Sequence, residues 1–259
     1  MKKISEYISK WMLEYSKKSN TNGFVVGVSG GIDSAVTSTL AAETGKEVLV
    51  IEMPIHQDAS QVTRAQDHIS FLLDKYPNVK SQRVDLTDMY ETFRKSIPTT
   101  DLASEELALV NTRARIRMTT LFYFAGLHNY LVAGTGNKVE DFGIGFFTKY
   151  GDGGVDLSPI ADLMKSEVYA LGKELGVIKS ILTAAPTDGL WGDDKTDEDQ
   201  IGASYDELEW AMEFDEFESD ESDLNERQKE VLSIFRRMNR ANQHKMNPIP
   251  VCEIPEDLR

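Results

Sequence analysis

Thiols are almost absent: Cys252, near the C-terminal end, is the single cysteine in 259 residues. No disulfide can form within the chain, which fits a reducing compartment, and the paired thiols of a zinc or iron–sulfur site are missing. Positive charge is scarce as well. Twenty-eight Lys and Arg stand against 43 Asp and Glu, a formal charge of −15. Nucleic acid needs a basic face to neutralise its phosphates, so it is excluded as the main partner, while a local basic pocket for a small anion is not. Long apolar runs are missing. No membrane span is visible, and Met1-Lys2-Lys3-Ile4 is not followed by the apolar stretch of a secretory signal. The cytoplasm is the expected compartment.

What is present is a run from Phe24 to Ser34. Phe24-Val25-Val26 favours a buried strand. Gly30-Gly31 breaks it, and Ala35 to Ala42 reads as a helix. A strand, a glycine turn and a helix N-terminus together make an anion cup, because free N–H groups and the helix dipole converge there. The cup comprises Gly27, Val28, Ser29, Gly30, Gly31, Ile32, Asp33 and Ser34, with the two serines adding hydroxyls. It is neither a Gly-Lys-Ser/Thr loop nor a G-x-G-x-x-G loop. Asp33 is the anomaly, since a carboxylate repels a phosphate unless a cation lies between them. That argues for Mg²⁺ carried with a nucleotide. The bland alternative is a tight turn in which Asp33 only caps the helix.

Further strands are predicted at 47–53, near 79–84 and at 130–134. Helices are predicted at 2–18, 58–75 with Asp58 as cap, 86–96, 105–127, 165–175, 205–217 and 225–243. Alternation of strand and helix predicts an α/β fold, a parallel sheet with helices on both faces. Ligands of such sheets sit at the carboxyl ends of strands, where Ser29, Met53 and Thr135 fall. In the first helix, Ile4, Ile8, Trp11, Met12 and Tyr15 form one face, expected to pack in the core, with a subunit contact as the alternative. Residues 141–162 are rich in Gly and aromatics and read as a long irregular, functional segment. Residues 189–199 read as a mobile loop.

Some charges need partners. Glu140 lies just past the fourth strand, so it and Asp33 form a candidate Mg²⁺ pair. Lys165 starts a helix, where the dipole disfavours a cation, and a bound anion would resolve the conflict. Arg113, Arg115 and Arg117 place basic heads on differing faces of one helix, and one or two aimed at the sheet edge would bind phosphate. Lys149, His244 and Lys245 complete the basic set.

Ser29–Ser34 resembles the pyrophosphate loop of the N-type ATP pyrophosphatases. Asn111-x-x-Ala114-Arg115-x-Arg117-Met118, Gly134-Thr135 with Glu140, Gly145–Asp156, Lys165, Ala185-Pro186-Thr187 and His244-Lys245 narrow the resemblance to ammonia-dependent NAD⁺ synthetase over nearly the whole chain. The resemblance implies a Rossmann-like, adenine nucleotide α-hydrolase-like fold and an ATP-dependent amidation of deamido-NAD⁺ by ammonia. An adenylate is the intermediate, and AMP and diphosphate are released. It implies that Gly27–Ser34, Thr135, Lys165 and Thr187 contact ATP, that Asp33 and Glu140 hold Mg²⁺, and that Arg115, Lys149, Asp156, His244 and Lys245 contact deamido-NAD⁺. It also implies a homodimer. Asp33, Lys165 and Asp156 are the catalytic candidates, Asp156 as the group that takes a proton from ammonium. The expected organisation is one domain over 1–259 with no glutamine-hydrolysing domain, so that ammonia comes free or from a separate amidotransferase. One departure is an extra residue within Asp141–Ile144, which leaves Asp141 open as a ligand in place of Glu140. Competing readings are another N-type ATP pyrophosphatase, such as a tRNA-modifying one, and a non-catalytic ATP-binding module.

Overall fold

Four short runs of β-formers assemble into one parallel sheet ordered β3-β2-β1-β4, where β1 is Gly23–Gly27, β2 Glu47–Glu52, β3 Val79–Arg83 and β4 Tyr130–Val132. The structure, a computed structural model, describes residues 1–100, 102–186, 196–217 and 220–259. Register sets Val26 beside Val50 and Val25 beside Val132. Both faces of β1 are buried, so its sequence is an unbroken apolar run rather than an alternating one. The chain steps outward from β1 through β2 to β3 and then returns to the other side of β1 for β4. That reversal opens a crevice at the carboxyl ends of β1 and β4.

Helices cover both faces. On one lie α1 (Lys2–Lys18), α2 (Ile32–Glu43) and α3 (Ala59–Lys75); on the other lie α4 (Thr87–Ser96) and α5 (Glu105–His128). Beyond β4 come α6 (Lys165–Leu175), which joins the first face, and the short α7 (Lys179–Leu182) and α8 (Asp197–Ile201). Last come α9 (Tyr205–Glu216) and α10 (Glu226–Met246), which build a separate helical core around Val139, Ile144, Leu208, Val231 and Phe235. No helix among the described residues is long and apolar enough to cross a membrane.

Three expectations change. Residues 139–144 are not irregular but form a π-helical turn. The extra residue within Asp141–Ile144 falls inside this wider turn, the form that an inserted residue takes in a helix. Of the segment expected as a mobile loop, 189–195 lie outside the described residues, while Asp197–Asp199 open α8. There Thr196 caps the backbone N–H of Asp199 and the Asp199 carboxylate caps Thr196 in return. In α1, Ile8 and Met12 are buried, yet Trp11 and Tyr15 are exposed and stack on each other at 5.8 Å. Only half of the predicted face is core. Asp58 caps α3 through Ser60 as expected.

His68, on α3, is fully buried against α2, with Nε2 3.0 Å from Ser38 Oγ and no partner for Nδ1. Burial pushes its pKa down to about 4. The folded chain keeps it neutral while the unfolded chain takes up a proton below about pH 6.5. Its contribution is therefore fully present above pH 6.5 and is lost as pH falls toward 4. Between pH 7 and 5 the loss is about 2 kcal/mol. Urea midpoints of the protein and of His68→Met across this range check it: the variant's stability is expected to fall less steeply, and equal slopes would contradict the account.

Candidate active site

The predicted cup forms at the carboxyl end of β1, and all eight of its residues line one cleft of about 270 Å³. Its shape is set internally. Ser34 Oγ donates to Gly31 O at 3.0 Å and accepts from Ser29 N at 3.2 Å, and Ser29 Oγ accepts from Gly31 N at 3.3 Å. Val28 N–H is committed to Ile51 O at 2.9 Å, so it extends the sheet rather than facing a ligand. Gly30 turns the chain at φ +83°, and a Cβ there would meet Gln61 O at 2.6 Å. Only glycine lets α3 come this close.

Asp33, Glu140 and Lys165 meet across the crevice. Lys165 Nζ donates to Asp33 Oδ2 at 2.7 Å and to Glu140 Oε1 at 2.9 Å. Asn137 ties the pair together, donating from Nδ2 to Asp33 Oδ1 at 3.2 Å and accepting Glu140 N–H at 3.1 Å. Tyr205 donates to Glu140 Oε1 at 2.6 Å. The misplaced cation at the start of α6 thus finds its counter-charge inside the protein. Burial raises the Asp33 carboxyl above its ordinary value even with Lys165 beside it. At Glu140 burial also raises, but Lys165 and the Tyr205 hydroxyl outweigh it and the carboxyl stays below its ordinary value. Lys165 is 3% exposed. Burial alone would lower its pKa, but Asp33 and Glu140 hold it above the ordinary lysine range.

Of the two candidate ligands, Glu140 is the one that meets Asp33 at Lys165. Glu140 and not Asp141 lines the cleft, and burial near Glu140 pushes Asp141 up to about 8. The donor set fits Mg²⁺ in part. Asp33 and Glu140 present hard oxygens to one point, and Mg²⁺ accepts one or two carboxylates with phosphate oxygens and water completing the shell. Among the described residues no group of three or more His, Cys, Asp or Glu is close enough to hold an ion alone.

The other candidates divide. Thr135 lines the cleft; Thr187 lies outside the described residues. Arg115, Lys149, His244 and Lys245 gather instead around the Gly145–Lys149 segment. Arg115 Nε donates to Lys149 O at 3.3 Å, and Lys149 Nζ donates to His244 O. Lys245 Nζ donates to Gly145 O at 2.7 Å and Phe147 O at 2.8 Å. Lys245 here holds backbone, not an exposed anion site. Asp156 pairs with β4 next to the bridge between Ala133 and Leu157: its carboxylate accepts Val132 N–H at 2.8 Å and its own N–H donates to Val132 O at 3.0 Å. It lines a groove with Trp11, Tyr15 and Phe142, and its neighbour Val155 lines both that groove and the cleft that holds the cup.

Two features escaped the sequence reading. Asn239, Asn242 and Lys245 stand three residues apart on α10 and bind successive carbonyls: Asn239 that of Gly143 at 2.7 Å, Asn242 that of Ile144 at 2.8 Å, and Lys245 that of Gly145. Their equal spacing on a polar helix was the available signal. The second is the wall contributed by α3 and the loop before it. Arg64 Nε donates to Gly30 O at 3.3 Å, and Arg117 links Met53 O at 2.9 Å to Gln57 Oε1 at 2.8 Å.

A parallel sheet with a glycine turn at its switch point, closed by a Lys and two carboxylates, defines a protein of the adenine nucleotide α-hydrolase-like fold. The comparisons agree and go further. The profile of the NAD synthase family matches residues 4–249, and the chain belongs to that family. The NH3-dependent NAD⁺ synthetase of Carboxydothermus hydrogenoformans is 38% identical over 253 residues, spanning 97% of this chain and 96% of that one. Among solved structures, the NMN synthetase from Francisella tularensis superposes with a TM-score of 0.82 at 30% identity, covering 98% of both chains. The NH3-dependent NAD synthetase from Campylobacter jejuni, solved with nitrate, gives 0.78 at 28% identity over 97% of this chain and 99% of that one.

Proposed function

We propose that this chain is a ligase that amidates deamido-NAD⁺ with ammonia at the expense of ATP. A nicotinate carboxylate oxygen attacks the α-phosphorus of ATP and diphosphate leaves. Ammonia then attacks the carbonyl carbon of the adenylate, and AMP leaves with the carboxylate oxygen. Within the chain, the cup binds phosphate through backbone N–H groups and the α2 dipole. Lys165 donates to phosphate oxygens as negative charge builds on the leaving diphosphate. Asp33 and Glu140 hold Mg²⁺, which when bound offsets phosphate charge. Ammonia is itself a nucleophile, so positioning replaces an enzymic one.

The observation that carries this reading is the Asp33–Lys165–Glu140 cluster at the mouth of the cup, in a chain of the NAD synthase family. Incubation with ATP, Mg²⁺, ammonium and deamido-NAD⁺ tests it, with NAD⁺ and AMP expected in equal amounts. Because one structural relative is an NMN synthetase, nicotinate mononucleotide is the second arm. Preferential turnover of the mononucleotide would move the substrate, and no product from either would sink the reading.

We further read the chain as a single domain that works as a cytoplasmic homodimer on free or separately supplied ammonia. The lone cysteine supports the compartment. Stacked Trp11 and Tyr15, exposed Phe142, and exposed Phe122, Tyr123 and Leu127 on α5 support self-association. Light scattering is expected to give twice the chain mass at assay concentration. A monomer with full activity would contradict it.

A further inference from the structure

Tyr205 is not explained by packing alone. It belongs to the helical core of α9 and α10, yet its hydroxyl leaves that core and donates to Glu140 Oε1 at 2.6 Å, with Asp197 Oδ2 a second and longer acceptor at 3.4 Å, while its ring lies 4.5 Å from Lys165 Nζ. One side chain therefore touches both an acid and the base of the cluster. The hydroxyl bond is short and charge-assisted, and an ammonium over a desolvated ring is held by the ring quadrupole. The residue itself is 4% exposed.

Its placement is rigid. Ser204 caps α9: its hydroxyl accepts Glu207 N–H at 3.3 Å, and the Glu207 carboxylate accepts Ser204 N–H at 2.9 Å. Tyr205 N–H, at the first helical position, is taken by Glu198 Oε1 at 2.9 Å. Arg227 then ties Glu207 to α10 at 2.7 Å. A side chain on such a foundation can fix the rotamer of its partner. Glu140 needs that help. It sits in a π-helical turn, and Lys165 must be shared between two carboxylates and a phosphate.

We propose that Tyr205 is a positioning residue for the phosphate site, its hydroxyl fixing Glu140 and its ring face seating Lys165. The proposal rests on the reading that the cup binds Mg²⁺ and ATP for the amidation. The two halves of the side chain have separable duties. With Tyr205→Phe the ring stays and the hydroxyl goes, so Glu140 loses its outer partner while the core keeps its packing. With Tyr205→Leu the seat for Lys165 goes too.

The test is calorimetric titration of Mg²⁺ into protein and ATP, with no dinucleotide present, beside turnover and a melting curve. Tyr205→Phe is expected to weaken apparent Mg²⁺ affinity about tenfold, the usual effect of removing an outer partner of a metal ligand. Its melting temperature without ligand is expected to fall slightly, because a buried charge-assisted hydrogen bond is lost, its KM for deamido-NAD⁺ is expected to stay unchanged, and raised Mg²⁺ should recover kcat. Tyr205→Leu is expected to raise the KM for ATP in addition. Unaltered Mg²⁺ affinity in Tyr205→Phe would overturn the proposal, as would a lowered melting temperature with all ligands weakened equally. If the unmutated protein makes no NAD⁺ but the variant still loses Mg²⁺ affinity, the amidation reading falls and the role of Tyr205 stands.

Discussion

Asp33→Ala is expected to lose NAD⁺ formation by about a thousandfold or more while the protein stays folded. The two halves of that expectation have different causes. Activity is lost because Asp33 stands in the cup itself and shares Lys165 with Glu140, and because Lys165 loses the partner that draws it toward the phosphates. Stability survives because the side chain is a short carboxylate and not one of the apolar groups that build the core, and its raised pKa says that burying its charge is already unfavourable. Removing it leaves Lys165 paired with Glu140. What is given up is an acid in the first turn of α2, about 0.5 kcal/mol. Steady-state assays and a denaturation curve of the purified variant check both halves. Near-normal turnover would reduce the carboxylate to a helix cap.

Lys165→Met carries the second large effect, and here stability suffers too. Lys165 is the only cation paired with Asp33 and Glu140 among the described residues, and both carboxylates are largely withdrawn from water. Breaking a buried charge pair from one side leaves the other charges uncompensated, which costs about 3–5 kcal/mol. Turnover is expected to vanish as well, since among the described residues no other ammonium is paired at this point. Two companion measurements separate repulsion from lost packing. Mg²⁺ is expected to stabilise Lys165→Met more than the unmutated protein, because the ion relieves the paired carboxylates. Adding Asp33→Asn is expected to restore part of the stability while leaving the enzyme inactive. A denaturation midpoint unchanged in Lys165→Met would contradict the electrostatic account of the cluster.

Legibility in the sequence followed the range of the forces involved. β1, α2 and the cup were readable because β-propensity, glycine and helix polarity act within a few residues. The bounds of α6 matched Lys165–Leu175 for the same reason. The meeting of Asp33 and Glu140 was inferable because strand order in a parallel sheet delivers strand ends to one edge. The pairing of Asp156 with β4 was not legible, because its partner is a backbone N–H distant in the chain and no local pattern marks it. The α10 ladder of Asn239, Asn242 and Lys245 was missed because side chains that bind distant carbonyls leave no hydrophobic period. Tyr205 opens the helix predicted at 205–217, and nothing local marks its hydroxyl. Only the tertiary fold carries its hydroxyl to Glu140.

The central claim is that this chain adenylates a nicotinate carboxylate and then displaces AMP with ammonia. Deamido-NAD⁺ carrying heavy oxygen in its carboxylate tests that claim most directly, with the products read by mass spectrometry. The account predicts one heavy oxygen in AMP, none in diphosphate, and NAD⁺ formed in step with AMP. Label in diphosphate, or ATP cleaved without any NAD⁺, would contradict it.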